Sequence, residues 1–178
     1  MQATAPSITR TFDYVWDRLL ARINGLGDEE YFWEPVAGCW SLRQTSDGRW
    51  LLDGDGGGGP APSPVPVTTI VWRLGHIGGT LGGFARMRFG DRTRLTNEEL
   101  SVPPHADGIQ SFLTDHYRFW IDGLLALPEA AWFHPIGEAF GPYAEATTLD
   151  LALHVLDELV HHAAEVGVLR DLWAAGLR

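Results

Sequence analysis

The chain has 178 residues, 45% of them hydrophobic, and a formal net charge of −10. That length and apolar content fit one folded domain spanning residues 1–178 and exclude an intrinsically disordered chain. The acidity excludes a protein that grips a phosphate backbone, which needs clustered positive charge, so no nucleic-acid partner is expected.

The first predicted element is a helix from Ile8 to Leu26. Ile8, Phe12, Val15, Leu19 and Ile23 recur at steps of three and four, the period of one helix face. Ser7 is the predicted N-cap, and Gly25 and Gly27 supply the stop. The next segment, Glu30 to Arg43, carries Tyr31, Phe32, Trp33 and Trp40 and is interrupted by Pro35 and Gly38. It reads as irregular chain whose aromatics plug the end of a core. Cys39, the single cysteine, cannot close an internal disulfide. No neighbouring base is foreseeable for it, so it is expected to be inert. Gly54 to Pro66 is glycine- and proline-rich and reads as a loop within the domain.

The second helix is predicted over Thr68 to Phe89 despite Gly75, Gly78, Gly79, Gly82 and Gly83. Each glycine costs up to about 1 kcal/mol relative to alanine in a helix interior. Two readings account for them: Gly75, Gly78, Gly79 and Gly82 share a side where a neighbouring backbone approaches, or the helix breaks there. The third helix, Ile109 to Leu127, presents Leu113, Tyr117, Trp120 and Leu124 on its apolar face and ends at Pro128. The fourth, Thr148 to Trp173, is the clearest, and Thr147 with Asp150 resembles a capping box. No alternating strand pattern stands out. The expected class is all-α, a four-helix bundle. No apolar window approaches about 18 residues, so no membrane span is expected. With no basic-then-apolar leader, a cytoplasmic location is the default expectation.

The chemistry concentrates in the last helix, in HVLDELVHHAAEVGVLRDLW from His154. Two pairs at a spacing of four compete there: Glu158 with His162, and Asp157 with His161. Either could grip one metal from a single helix face. At about 100° per residue, His162 falls within the arc of Leu151, Val155, Leu159, Val166, Leu169 and Trp173, with Glu158 on its border. Asp150, His154, Asp157 and His161 form a polar wedge that reads as the solvated face. Glu158 and His162 therefore point inward. An inward carboxylate is costly unless it is paired or metal-bound. A hydrogen-bonded Glu–His or Glu–Arg pair at the core border fits the same placement. A third ligand must come from another helix. His76 is the best placed, although Thr69, Arg73 and Thr80 lie near its side. His116 comes next, and His105 and His134 sit in loop-like contexts. Walker A, GxGxxG, GxSxG and HExxH motifs are absent.

Taken together, EEYFWEPVAGCWSLR, VWRLGHIGG and DELVHHAAEVGVLRDLW resemble the DinB-like superfamily of metal-binding four-helix proteins, whose fold is also called YfiT-like. That superfamily includes mycothiol-dependent maleylpyruvate isomerases and bacillithiol S-transferase-type proteins. The resemblance implies a metal triad of His76, Glu158 and His162. Glu158 stands where many members carry histidine, and a glutamate there resembles the isomerase-type variant. The implied cofactor is a divalent ion, zinc foremost, with nickel or another ion as alternatives. A low-molecular-weight thiol is the implied cosubstrate and a small electrophile the implied partner. His154 and His161 are candidate supporting groups, and homodimerisation is a further implication. The rival readings are a non-catalytic metal-binding or stress-associated protein and a metal-free structural homodimer.

Overall fold

The computed structural model describes residues 4–54 and 66–177. Four long helices dominate: α1 (Thr4–Ile23), α3 (Ile70–Phe89), α5 (Ala106–Leu125) and α6 (Thr148–Ala174). Between them lie two short helices, α2 (Asp28–Tyr31) and α4 (Asn97–Leu100), a two-stranded hairpin and two 3-10 turns, Glu129–Phe133 and Glu138–Tyr143. Helix α3 packs on α5 and α6, and α1 packs on the same two from the opposite side. The order around the bundle is therefore α1–α5–α3–α6. This is the all-α bundle expected from the periodicities. Most of the Gly54 to Pro66 loop lies outside the described residues.

The core follows from the helix faces. Phe12 and Leu19 of α1, Leu74, Ile77 and Leu81 of α3, Leu113, Trp120 and Leu124 of α5, and Val155, Leu159 and Val166 of α6 are all buried. Such aliphatic and aromatic side chains each contribute about 1.5–3 kcal/mol on leaving water. Trp16 stacks on Tyr117 at 4.1 Å, and the Tyr117 hydroxyl donates to Asp13 at 2.7 Å, which joins α1 to α5.

Several local expectations need correction. Helix α1 begins at Thr4, so Ser7 lies inside its first turns instead of capping it. The Thr4 amide and hydroxyl donate to the Glu129 carboxylate. Helix α3 is continuous, and its glycines accommodate neighbouring side chains, not a neighbouring backbone. A Cβ at Gly78 would overlap the Phe112 ring, and one at Gly82 would overlap His116. Both intruders come from α5. A small hairpin also escaped the sequence: β1 (Leu42–Gln44) pairs antiparallel with β2 (Trp50–Leu52), Leu42 opposite Leu52. Three-residue strands are too short to display an alternating pattern.

The aromatic segment does plug one end of the bundle. Tyr31 is fully buried and donates to the Pro103 carbonyl at 3.0 Å. Beside it, Arg170 of α6 forms a two-pronged ion pair with Glu30, at 2.8 and 3.0 Å. The same guanidinium donates to the Arg22 and Asn24 carbonyls where α1 ends. Two of the segments that carry the family resemblance thus meet through one arginine.

Candidate metal centre

Helix α6 is long because its start is sealed. Thr147 accepts from the Asp150 amide while the Asp150 side chain accepts from Thr147, so the capping box is present. From that start, Leu151, Val155, Leu159, Val166 and Leu169 turn inward with His162 among them. Asp150, His154, Asp157 and His161 are exposed, as the polar wedge requires.

Helix α3 is anchored by the preceding segment. Thr69 caps its start, and the Thr69 hydroxyl also donates to Ser41 at 3.1 Å. Trp40 pairs with Thr68 through a short parallel bridge. After the hairpin, the Asp53 carbonyl accepts from the Trp72 indole at 2.7 Å. Trp72 then stacks flat on His76, with ring centres 5.0 Å apart and planes 6° apart. The imidazole is held in plane by a ring that is itself tied to the hairpin.

The two helices bring His76, Glu158 and His162 together. Glu158 Oε2 is 3.2 Å from His76 Nε2 and 3.3 Å from His162 Nε2. One donor atom from each residue lies within 4.8 Å of the other two, so the group can hold a metal ion. Ligands at about 2.0–2.1 Å from a tetrahedral zinc stand about 3.3–3.4 Å apart. The two carboxylate–imidazole separations match that edge. The His162 side chain is 8% exposed, and those of His76 and Glu158 are 23% and 22% exposed.

Proton accounting also favours a cation here. His162 Nδ1 faces Glu165 Oε2 at 2.6 Å and Arg73 Nη1 at 3.1 Å; a guanidinium can only donate, so the shorter contact, which puts the proton on Nδ1, excludes a hydrogen bond from Arg73 to that atom. In the neutral ring Nε2 then carries a lone pair, and that lone pair faces the Glu158 carboxylate. Two acceptors at this separation are reconciled by a proton or a metal ion between them. With a proton on Nε2 of each ring, hydrogen bonds from His162 and then His76 hold the Glu158 carboxyl well below the usual carboxylate range, so it stays ionised. Burial pushes the Glu165 carboxyl up, but the His162 hydrogen bond and the Arg73 charge bring it below its ordinary value.

The other sequence candidates stand outside the triad. His154 is exposed and packs edge-on against Phe84. His161 donates to the Asp157 carbonyl at 2.8 Å and lies over the His162 ring, with centres 3.8 Å apart. His116 is wedged between Phe112 and Gly82, away from the group, and burial pushes its pKa down. His105 precedes α5 and pairs with Asp28 at 2.8 Å, and His134 is exposed. Cys39 is buried, and burial pushes its thiol pKa up, away from reactivity. Sequence reasoning missed Glu165 and Arg73. Glu165 sits three residues after His162, a spacing that places both on one face. Arg73 sits three residues before His76, where its charge had only blurred the helix period.

The class of protein is a four-helix bundle whose second and fourth long helices bring two imidazoles and one carboxylate close enough that they could hold a metal ion. The chain belongs to the DinB superfamily, whose family model matches residues 11–166. No curated protein and no solved structure matches it. Among the described residues, no helix is long and apolar enough to cross a membrane.

Proposed function

We propose that the protein is a divalent-metal-dependent enzyme, with His76, Glu158 and His162 as ligands and a small thiol and a small electrophile as substrates. The observation that carries the metal reading is the convergence of both imidazole Nε2 atoms on one oxygen of Glu158. Zinc suits two nitrogens and one oxygen, and nickel or another borderline ion fits the same donors. When bound, such an ion supplies a Lewis acid that favours the deprotonated form of a nearby thiol or water.

The chain's own residues do the rest. Glu165 holds the Nδ1 proton of His162, which leaves Nε2 as the ligand atom. Trp72 fixes the plane of His76. His76 also lines a cleft of about 130 Å³ with Gly79, Thr80, Leu95, Thr96, Asn97 and Leu100. That volume has room for a small molecule beside His76. The family membership supports the thiol chemistry: a thiolate sulfur bonds to an electrophilic carbon and either displaces a leaving group that departs with its bonding pair, or adds to a double bond whose π pair moves to the neighbouring atoms and, after rotation about the new single bond, expels the thiolate again. An exposed stripe of Leu153, Val160 and Val168 on α6 supports homodimerisation, and nothing in the centre argues against a cytoplasmic setting.

The test is elemental analysis of untagged protein against a Glu158→Ala, His162→Ala variant, followed by thiol-dependent loss of an electrophile. One metal equivalent and thiol-dependent turnover are expected in the parent and neither in the variant. Turnover that survives in His162→Ala would sink the enzymatic reading. The burial of His162 favours a second reading, an ion that ties α3 to α6 without turnover. A Co2+ spectrum that does not respond to added small thiols would select it.

A further inference from the structure

A second cluster of potential ligands lies on the outer edge of His162. His161, His162 and Glu165 each offer one donor atom within 4.8 Å of the others. A cation already stands in it. Arg73 Nε is 3.0 Å from Glu165 Oε2, and Arg73 Nη1 is 3.1 Å from His162 Nδ1. The arginine side chain is only 13% exposed and lies against the Trp72 ring, 5.1 Å from its centre. Burial opposes its charge, and the Glu165 and Glu158 carboxylates counter that opposition.

Resting on the metal reading above, we propose that Arg73 is the resident cation of this outer cluster and keeps the His76–Glu158–His162 centre mononuclear. The argument is one of occupancy. Glu165 has two tasks, accepting the Nδ1 proton of His162 and pairing with Arg73, and both use Oε2. A second ion in this place would displace the Nδ1 proton and turn His162 into an imidazolate bridging two ions. The guanidinium bars it by position and by like charge. Arginine suits this role better than lysine, because it does not lose its proton in proteins and its planar head, held by Glu165, fills the space beside the ring edge. Arg73 and His76 leave the same helix three residues apart, so the turn that presents the inner ligand also presents the guard.

Metal content settles the matter. Protein saturated with Zn2+ and gel-filtered is measured by mass spectrometry of the metal, for the parent and for Arg73→Met, Arg73→Gln, Arg73→Lys and Arg73→Met, Glu165→Gln. The parent and Arg73→Lys hold one equivalent. Arg73→Met and Arg73→Gln hold two, and the double variant returns to one because the outer carboxylate is gone. Loaded with Cu2+, Arg73→Met loses its low-temperature electron paramagnetic signal through coupling across the bridging ring, while the parent keeps the signal of an isolated ion. Circular dichroism checks that each variant folds, and the Gln variant carries the test if the Met variant does not. One equivalent of unchanged affinity in both Arg73→Met and Arg73→Gln overturns the guard and leaves the metal reading intact. Two equivalents in the parent also overturn it. A parent that binds no ion overturns both.

Discussion

Replacing Gly78 and Gly83 by alanine, one at a time, tests the packing of α3 with opposite signs inside a single helix. Alanine is favoured over glycine by up to about 1 kcal/mol in a helix interior. At Gly83 that gain is free, because the nearest atom to a new Cβ is Leu95 Cβ at 3.9 Å. At Gly78 the Cβ would lie 2.6 Å from Phe112 Cζ, inside the ring's contact distance. Phe112 in turn packs edge-on against His116, with centres 4.7 Å apart, so its ring has little room to retreat. Overpacking of this kind costs about 1–3 kcal/mol. Gly83→Ala is therefore expected to melt about 2–4 °C above the parent, and Gly78→Ala at or below it. Urea titration of both variants at constant slope measures the same difference as a shift in midpoint. Equal or greater stability in Gly78→Ala than in Gly83→Ala would refute the view that α5 side chains occupy the glycine face.

Other outcomes follow from the site and the ion pairs. Zn2+ at about one hundred times its dissociation constant is expected to add about 2.7 kcal/mol of stability, read by thermal melting, and to add none in His76→Ala. Metal affinity should fall on acidification as the imidazoles take up protons, with proton release on binding detectable in weakly buffered titrations. Arg170→Ala leaves the buried Glu30 carboxylate without its partner, at an expected cost of about 3–5 kcal/mol by urea titration, and Glu30→Met, Arg170→Met should cost less. The pair of Asp28 and His105 contributes over a bounded pH window. The Ala106 amide and His105 hold the Asp28 carboxyl below its ordinary 3.8, so its contribution is present above that value and lost on the acid side. Asp28 raises His105 above its ordinary 6.5, so that contribution is complete below 6.5 and lost as pH rises through the raised value. Asp28→Asn should flatten both limbs in a pH series of urea midpoints.

Much of the bundle was legible because its helices are amphipathic at the right period. Placing His162 and Glu158 inward needed only the positions of Leu151, Val155, Leu159 and Val166. The partner on α3 was harder to read: His76 was the best-placed third candidate, but a lone histidine among glycines carries no periodic signature, and the family resemblance was needed to put it in the triad. The hairpin was illegible for a different reason. Its strands are stabilised by Asn97, whose side chain bonds the Leu52 amide and carbonyl from 45 positions away. Arg73 and Glu165 were visible as residues but not as a pair, since only the docking of α3 on α6 brings them within 3.0 Å. Spacing within one helix is written in the sequence; distance between two helices is a property of the packed chain.

His76 and Glu158 are separated by 82 positions along the chain. At a synthesis rate of about 5–20 residues per second, the imidazole is made roughly 4–16 s before the carboxylate. During that interval α3 has α1 behind it and no α6 to meet. The group between the helices is thus among the last features a newborn chain can build.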